Sequence, residues 1–156
     1  MDTAASIEET FAAVPLLARL SRRQRSRLAA LATARTYPAE AVIVRQGDTS
    51  MSFYVVLSGH VRVERREAGD GRAVVRTVGP AGWFGEMGLI DDLPRSATVV
   101  AIEPTVCALL AKWDFASELR DDPDIALSLL PVLTQRIREL ELRLERHGVE
   151  RAEVRT

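Results

Sequence analysis

From Tyr37 to Leu110 the chain is a succession of short β-branched runs cut by glycine, proline and aspartate, and few folds accept that texture. Ala41-Val42-Ile43-Val44 leads into a Gln46-Gly47-Asp48 turn. From Phe53 to Val63 the chain stays extended in style, and period-two alternation places Phe53, Val55, Leu57, Val61 and Val63 on one face. Asp70-Gly71 is a hairpin signal between strands expected at Val61–Arg66 and Ala73–Val78. Ala97–Ile102 and Thr105–Leu110 supply two more strands. Many short strands with evenly spaced turns predict a closed or nearly closed antiparallel β jelly-roll barrel over residues 37–110.

Helical texture flanks that barrel, so the fold class is α+β. Over residues 7–35, Ile7, Phe11, Val14, Leu17, Leu20, Leu28 and Leu31 recur at helical spacing, interrupted near Pro15 and Ser21. Ser21 is read as the N-cap of a second helix. Residues 113–147 carry C-terminal helices: a short one at Trp113–Arg120, stopped by Asp121-Asp122-Pro123, then a long one from Asp124 to about His147. Within the long helix Leu130, Leu133, Ile137, Leu140 and Leu144 are spaced three, four, three, four, the pattern of a coiled-coil seam. The seam predicts a parallel homodimer, in which Arg136 and Glu141 occupy flanking positions that pair across the interface; the alternative is one helix packed on its own barrel. Pro131 is expected to kink that helix or mark a restart.

A chain of 156 residues is read as one domain, 1–156. Its formal net charge of −1 gives no global attraction to nucleic acid or an anionic membrane. The single cysteine, Cys107, excludes an internal disulfide and is read as an inert core thiol. His60 and His147 lie too far apart for metal-ligand spacing, so no metal is expected, nor the histidine cluster that an enzyme on a cupin barrel needs. The chain begins without a basic, apolar leader, and no apolar run approaches the roughly 20 residues a membrane span requires, so a cytoplasmic location is expected. Arg19, Arg22, Arg23, Arg25 and Arg27 form a dense basic run with no interleaved aromatics; it is read as a solvated face balanced by Asp121, Asp122 and Asp124, which disfavours nucleic acid as a partner.

The residues that carry chemistry are Phe84-Gly85-Glu86-Met87-Gly88-Leu89 and, shortly after, Pro94-Arg95-Ser96-Ala97-Thr98. A glycine-framed turn delivers one carboxylate, a helical turn presents backbone N–H groups, and an arginine follows nine residues after the carboxylate. Those parts suit a small sugar phosphate: amides and guanidinium meet the anion, and the carboxylate meets a hydroxyl. The plain alternative is an interaction domain with a vestigial pocket, in which Glu86 and Arg95 pair with each other.

This cassette, set among two groups of helices and a barrel, resembles the cyclic-nucleotide-binding domain family over about residues 10–146. Secondary matches are Val44-Arg45-Gln46-Gly47-Asp48 and Phe53-Tyr54-Val55-Val56-Leu57-Ser58-Gly59-His60-Val61. The resemblance implies a sensor, not an enzyme, with cAMP as ligand and cGMP as the alternative. It assigns the cyclic phosphate to Arg95, Ser96, Gly88 and Met87, and the ribose to Glu86 and Gly85. Around the base it places Val75, Arg76, Arg136 and Leu140; Leu140 and Glu141 stand where the catabolite activator has a threonine–serine pair against adenine. Leu133, Ile137 or Leu140 would cover the purine, and the long helix would signal by moving about a hinge at Asp121–Pro131 towards a downstream protein partner. Transcription factors of the family continue into a helix-turn-helix module, whereas this chain ends about ten residues past the helix. The expectation is therefore a sensing domain, the alternative a DNA-associated regulator of the catabolite-activator type lacking, or separated from, its DNA-binding domain.

Overall fold

The computed structural model describes residues 3–66, 69 and 71–153. Helix α1 (Thr3–Ala13), a 3-10 turn (Pro15–Leu17) and α2 (Arg22–Leu31) lead into β1 (Thr33–Tyr37), β2 (Val42–Val44), β3 (Ser52–Ser58), β4 (Val61–Arg66), β5 (Arg72–Val78) and β6 (Trp83–Phe84). Helix α3 (Glu86–Asp91) follows, then β7 (Thr98–Ala101), β8 (Thr105–Ala111), α4 (Lys112–Asp121) and α5 (Pro123–Glu153). The strands form two four-stranded antiparallel sheets, ordered β1-β8-β3-β6 and β2-β7-β4-β5. An α+β jelly roll with helices at both ends is the result.

Gly59 corrects the expected shared face of the 53–63 run. Its φ is +83°, and a Cβ there would lie 2.6 Å from the Pro104 carbonyl oxygen, so only glycine turns the chain this tightly. Strands β3 and β4 consequently enter different sheets. Phe53 and Val55 pack under the helices with Phe11, Leu17, Leu28 and Ile125, while Val61 and Val63 join Tyr54, Val56, Phe84 and Cys107 inside the barrel. With one face against helices and the other against the second sheet, β3 is buried continuously from Ser52 to Val56, which is why it reads as an unbroken apolar run.

Other boundaries also move. Helix α2 ends at Leu31, and Thr33–Tyr37 is already a strand, paired with β8 from Thr33↔Leu109 to Tyr37↔Thr105. The two-residue β6, too short to carry a periodic signal, holds Phe84 opposite Tyr54 and Trp83 opposite Val55. Strands β4 and β5 pair as the hairpin signal required, although Asp70 lies outside the described residues. Ser21 caps α2 as expected: its hydroxyl accepts from the Gln24 N–H at 3.2 Å, and the Gln24 side chain accepts from the Ser21 N–H at 2.9 Å.

Pro131 does not interrupt α5, which runs unbroken for 31 residues. Proline deprives the Leu127 carbonyl of its helical donor, but Ile125 and Leu129 are buried in the core on either side of that point and hold the helix in place. The seam divides: Leu133 packs against the core between the helices and the β1-β8-β3-β6 sheet, whereas Leu130, Ile137, Leu140 and Leu144 stay exposed. Most of the basic run is engaged within the chain, Arg22 with Glu8 at 3.6 Å, Arg27 with Glu118 at 3.1 Å and Arg25 with the Leu20 carbonyl at 2.5 Å. Among the described residues none of the expected counterparts Asp121, Asp122 and Asp124 pairs with these arginines; Asp122 instead accepts from the Gln24 side chain at 3.0 Å. Among the described residues no helix is long and apolar enough to cross a membrane.

Candidate functional site

The site begins where β6 ends. Gly85 takes φ +83°, and a Cβ on it would run into the Arg95 guanidinium and lie 3.0 Å from the Ser52 carbonyl oxygen. That left-handed residue starts α3 and turns Glu86 inward. One turn later Gly88 rests directly on Ser50, whose hydroxymethyl occupies the place a Cβ would need. The short helix can lie this close to the mouth of β3 only because position 88 carries no side chain.

Arg95 is fixed from behind by the Gln46-Gly47-Asp48 turn. Its backbone N–H donates to the Asp48 carbonyl at 2.8 Å, and its carbonyl accepts from the Gly47 N–H at 2.9 Å. The guanidinium lies 5.6 Å from the centre of the Tyr54 ring, which stacks on Phe84 at 4.8 Å with the planes 6° apart. Arg95 is only 8% exposed, yet among the described residues its side chain has one polar contact, from Nη1 to the Gly85 carbonyl at 3.5 Å. Among the described residues no carboxylate pairs with it. Burial lowers its pKa, against the opposing influence of Tyr54 and Asp48, but a guanidinium remains charged at any physiological pH. The result is a buried cation with most of its donors unused.

The carboxylate lies across the cassette. Glu86 is 6% exposed and accepts from Arg136 Nη1 at 2.9 Å, a contact that ties α3 to α5. Arg136 therefore meets the carboxylate that the resemblance gives to ribose, while the same resemblance puts Arg136 beside the base. Arg76 donates to the Trp83 carbonyl at 3.4 Å and lies close enough to feel Glu86 and Arg136; burial depresses its pKa, Glu86 raises it and Arg136 lowers it. Glu86 and Arg95, which the plain alternative paired with each other, have no such contact: Glu86 has chosen Arg136.

The remaining candidates are placed less centrally. Ser96 is exposed on the loop before β7, Met87 exposes its side chain, and Leu140 is exposed one turn beyond Arg136. Val75 is the residue left over where β5 slips against β4, between the Val63↔Arg76 and Glu64↔Val74 pairs.

A profile of the family described as cyclic nucleotide-binding domain matches residues 34–122. The chain belongs to the cyclic nucleotide-binding domain family. It is 37% identical over 118 residues to the cyclic AMP receptor protein of Thermus thermophilus, covering 76% of this chain and 55% of that protein. Against the cAMP-dependent protein kinase regulatory subunit of Debaryomyces hansenii it is 34% identical over 122 residues, 78% of this chain and 26% of the other. The crystal structure of the Thermus thermophilus catabolite activator protein superposes with a TM-score of 0.76 at 34% identity, covering 86% of this chain and 63% of that one. The cyclic nucleotide-binding domain described here thus spans about half of the first relative and a quarter of the second.

Three contributors to this cyclic nucleotide-binding domain escaped the sequence reading. Tyr54 forms the shelf beneath Arg95, and the adjacent aromatics Phe53-Tyr54 were its signal, since neighbouring residues on a strand face opposite sides. Ser50, buried with no partner for its hydroxyl among the described residues, and Lys112, which touches α3 from the start of α4, had no local signal because their place arises only from contacts across the fold.

Proposed function

We propose that the domain is a cyclic nucleotide sensor whose ligand is cAMP. The observation that carries this reading is Arg95: a buried guanidinium with unused donors, on an aromatic shelf, next to the glycine-framed turn of α3. A singly charged cyclic phosphate answers that cation with charge-assisted hydrogen bonds, supplemented by backbone N–H groups around Met87 and Gly88 and by Ser96. The ribose 2′-hydroxyl donates to Glu86, which Gly85 aims. That hydroxyl must share the carboxylate with Arg136, so occupancy is read by α5 through one contact. Arg76, Val75 and Leu140 border the base. The names of the two relatives, a cyclic AMP receptor and a regulatory subunit of a cAMP-dependent kinase, support cAMP. The exposed Leu130, Ile137, Leu140 and Leu144 support a homodimer through α5, and the role is binding and relay to a downstream protein, not catalysis.

One observation favours cGMP as a second reading. Arg76 is a donor-only group beside the pocket, and guanine presents two acceptors, O6 and N7, where adenine presents one acceptor and an amino donor. Calorimetric titration of cAMP and cGMP into the purified chain separates the two. Binding of cAMP at micromolar or tighter affinity is expected, with a loss of about ten- to hundredfold or more in Arg95→Ala, since a charge-assisted contact contributes roughly 1.5–3 kcal/mol. Tighter binding of cGMP, lost in Arg76→Ala, establishes the second reading instead. Absence of heat with either ligand sinks both.

A further inference from the structure

Helix α3 has six residues, far fewer than the roughly 12–15 an isolated helix needs to be even marginally stable, so its position must be imposed from outside. Left-handed residues bound it at both ends, Gly85 at φ +83° and Asp92 at φ +58°, and no side chain caps its start. Much of its surface is unsupported: Met87 and Ile90 are exposed, as is Leu93 just beyond. Leu89 reaches the core, and Glu86 reaches Arg136, which leaves the carboxyl-terminal end to be held by something else.

Lys112 holds it. Its Nζ donates to the Gly88 carbonyl at 3.3 Å and forms an ion pair with the Asp92 carboxylate. A cation there lies at the negative end of the helix. Lys112 is also the first residue of α4, and its own N–H donates to the Met51 carbonyl at 3.0 Å, beside the Ser50 on which Gly88 rests. One residue therefore joins α3 through its side chain and the approach to β3 through its backbone, at the root of α4, which in turn packs on α5.

We propose that Lys112 is a positioning residue for the cyclic-phosphate site: by clamping Gly88 and Asp92 it sets where the amides of α3 stand relative to Arg95, and it couples α3 to α4. The proposal rests on the cyclic nucleotide reading of the site. Lys112 makes no contact with ligand in this scheme; it acts through Gly88 and Asp92.

The test combines nucleotide titration with hydrogen exchange on the full chain and on Lys112→Met, Lys112→Arg, Asp92→Asn and the Lys112→Met/Asp92→Asn double variant. Lys112→Met is expected to weaken cAMP or cGMP binding by about three- to tenfold, the scale of a partly exposed ion pair reinforced by a helix end. Lys112→Arg restores affinity, and the double variant is no weaker than Lys112→Met alone, because both remove one interaction. In ligand-free protein, amides of Met87–Leu93 exchange faster in Lys112→Met while those of β3 and β8 keep their protection. Unchanged affinity, failure of Lys112→Arg to restore it, or faster exchange throughout the barrel overturns the proposal. If the unsubstituted chain binds neither nucleotide, the cyclic nucleotide reading itself fails; the exchange arm needs no ligand and separates that result from a clamp that does not hold.

Discussion

Removing a guanidinium from water costs free energy unless its donors find acceptors, and Arg95 is held below the surface with one long hydrogen bond and an aromatic ring. That cost is carried by the fold in advance, so an anion arriving there would meet a cation that is already oriented and partly desolvated. That Glu86 and Arg95 come together about one turn was legible in sequence, because their placement hangs on a local pattern of glycines and spacing. The Glu86–Arg136 contact was not, because it joins residues fifty positions apart and depends on how α5 returns over the barrel. Cys107 shows the same physics in a neutral group: burial pushes its thiol up to about 12 from an ordinary 9.0. The folded chain thus keeps a proton that the unfolded chain loses near pH 9, so this contribution to stability is complete below pH 9 and is lost as the pH climbs towards 12. A chromogenic disulfide reagent at pH 8 should leave native Cys107 untouched and react with one thiol per chain in denaturant; prompt reaction of the native protein would contradict the burial.

Helices announced themselves better than strands. The periodic apolar residues of α1, α2 and α5 and the Ser21 cap were readable because each is a local consequence of a 3.6-residue repeat. Strand β1 was hidden because Thr33–Tyr37 turns mostly exposed side chains outward and lacks a clear alternation, and β6 because two residues have no period. The apparent single face of Phe53–Val63 failed at Gly59, where a positive φ moves the chain between sheets. The capping box at Ser21 makes a sharp prediction at this scale. Ser21→Ala leaves the Gln24 N–H without its acceptor and should destabilise the domain by about 1 kcal/mol, read as a lower urea midpoint with an unchanged slope. An unchanged midpoint would mean that α2 is held by Leu28 and Ala29 in the core alone.

At the scale of the whole molecule the open question is what covers the outer face of α5. Leu130, Ile137, Leu140 and Leu144 follow the seam spacing and are exposed, whereas Leu133 between them already packs against the core beneath the helices. Sedimentation should show a dimer, and Leu144→Glu should yield a monomer with unchanged helical content; a parent chain that sediments as a monomer at high micromolar concentration would rule the seam out as an interface. A further consequence follows from how α5 is rooted. Asp122 alone separates it from α4, and Ile125 and Leu129 near its start are buried. A helix of 31 residues is about 46 Å long. Held at its root and again at Leu133 and Arg136, it leaves residues 137–153 projecting by about 25 Å, so a turn of about 5° at Arg136 would swing the far tip through about 2 Å, a displacement that no side chain in the pocket has to travel.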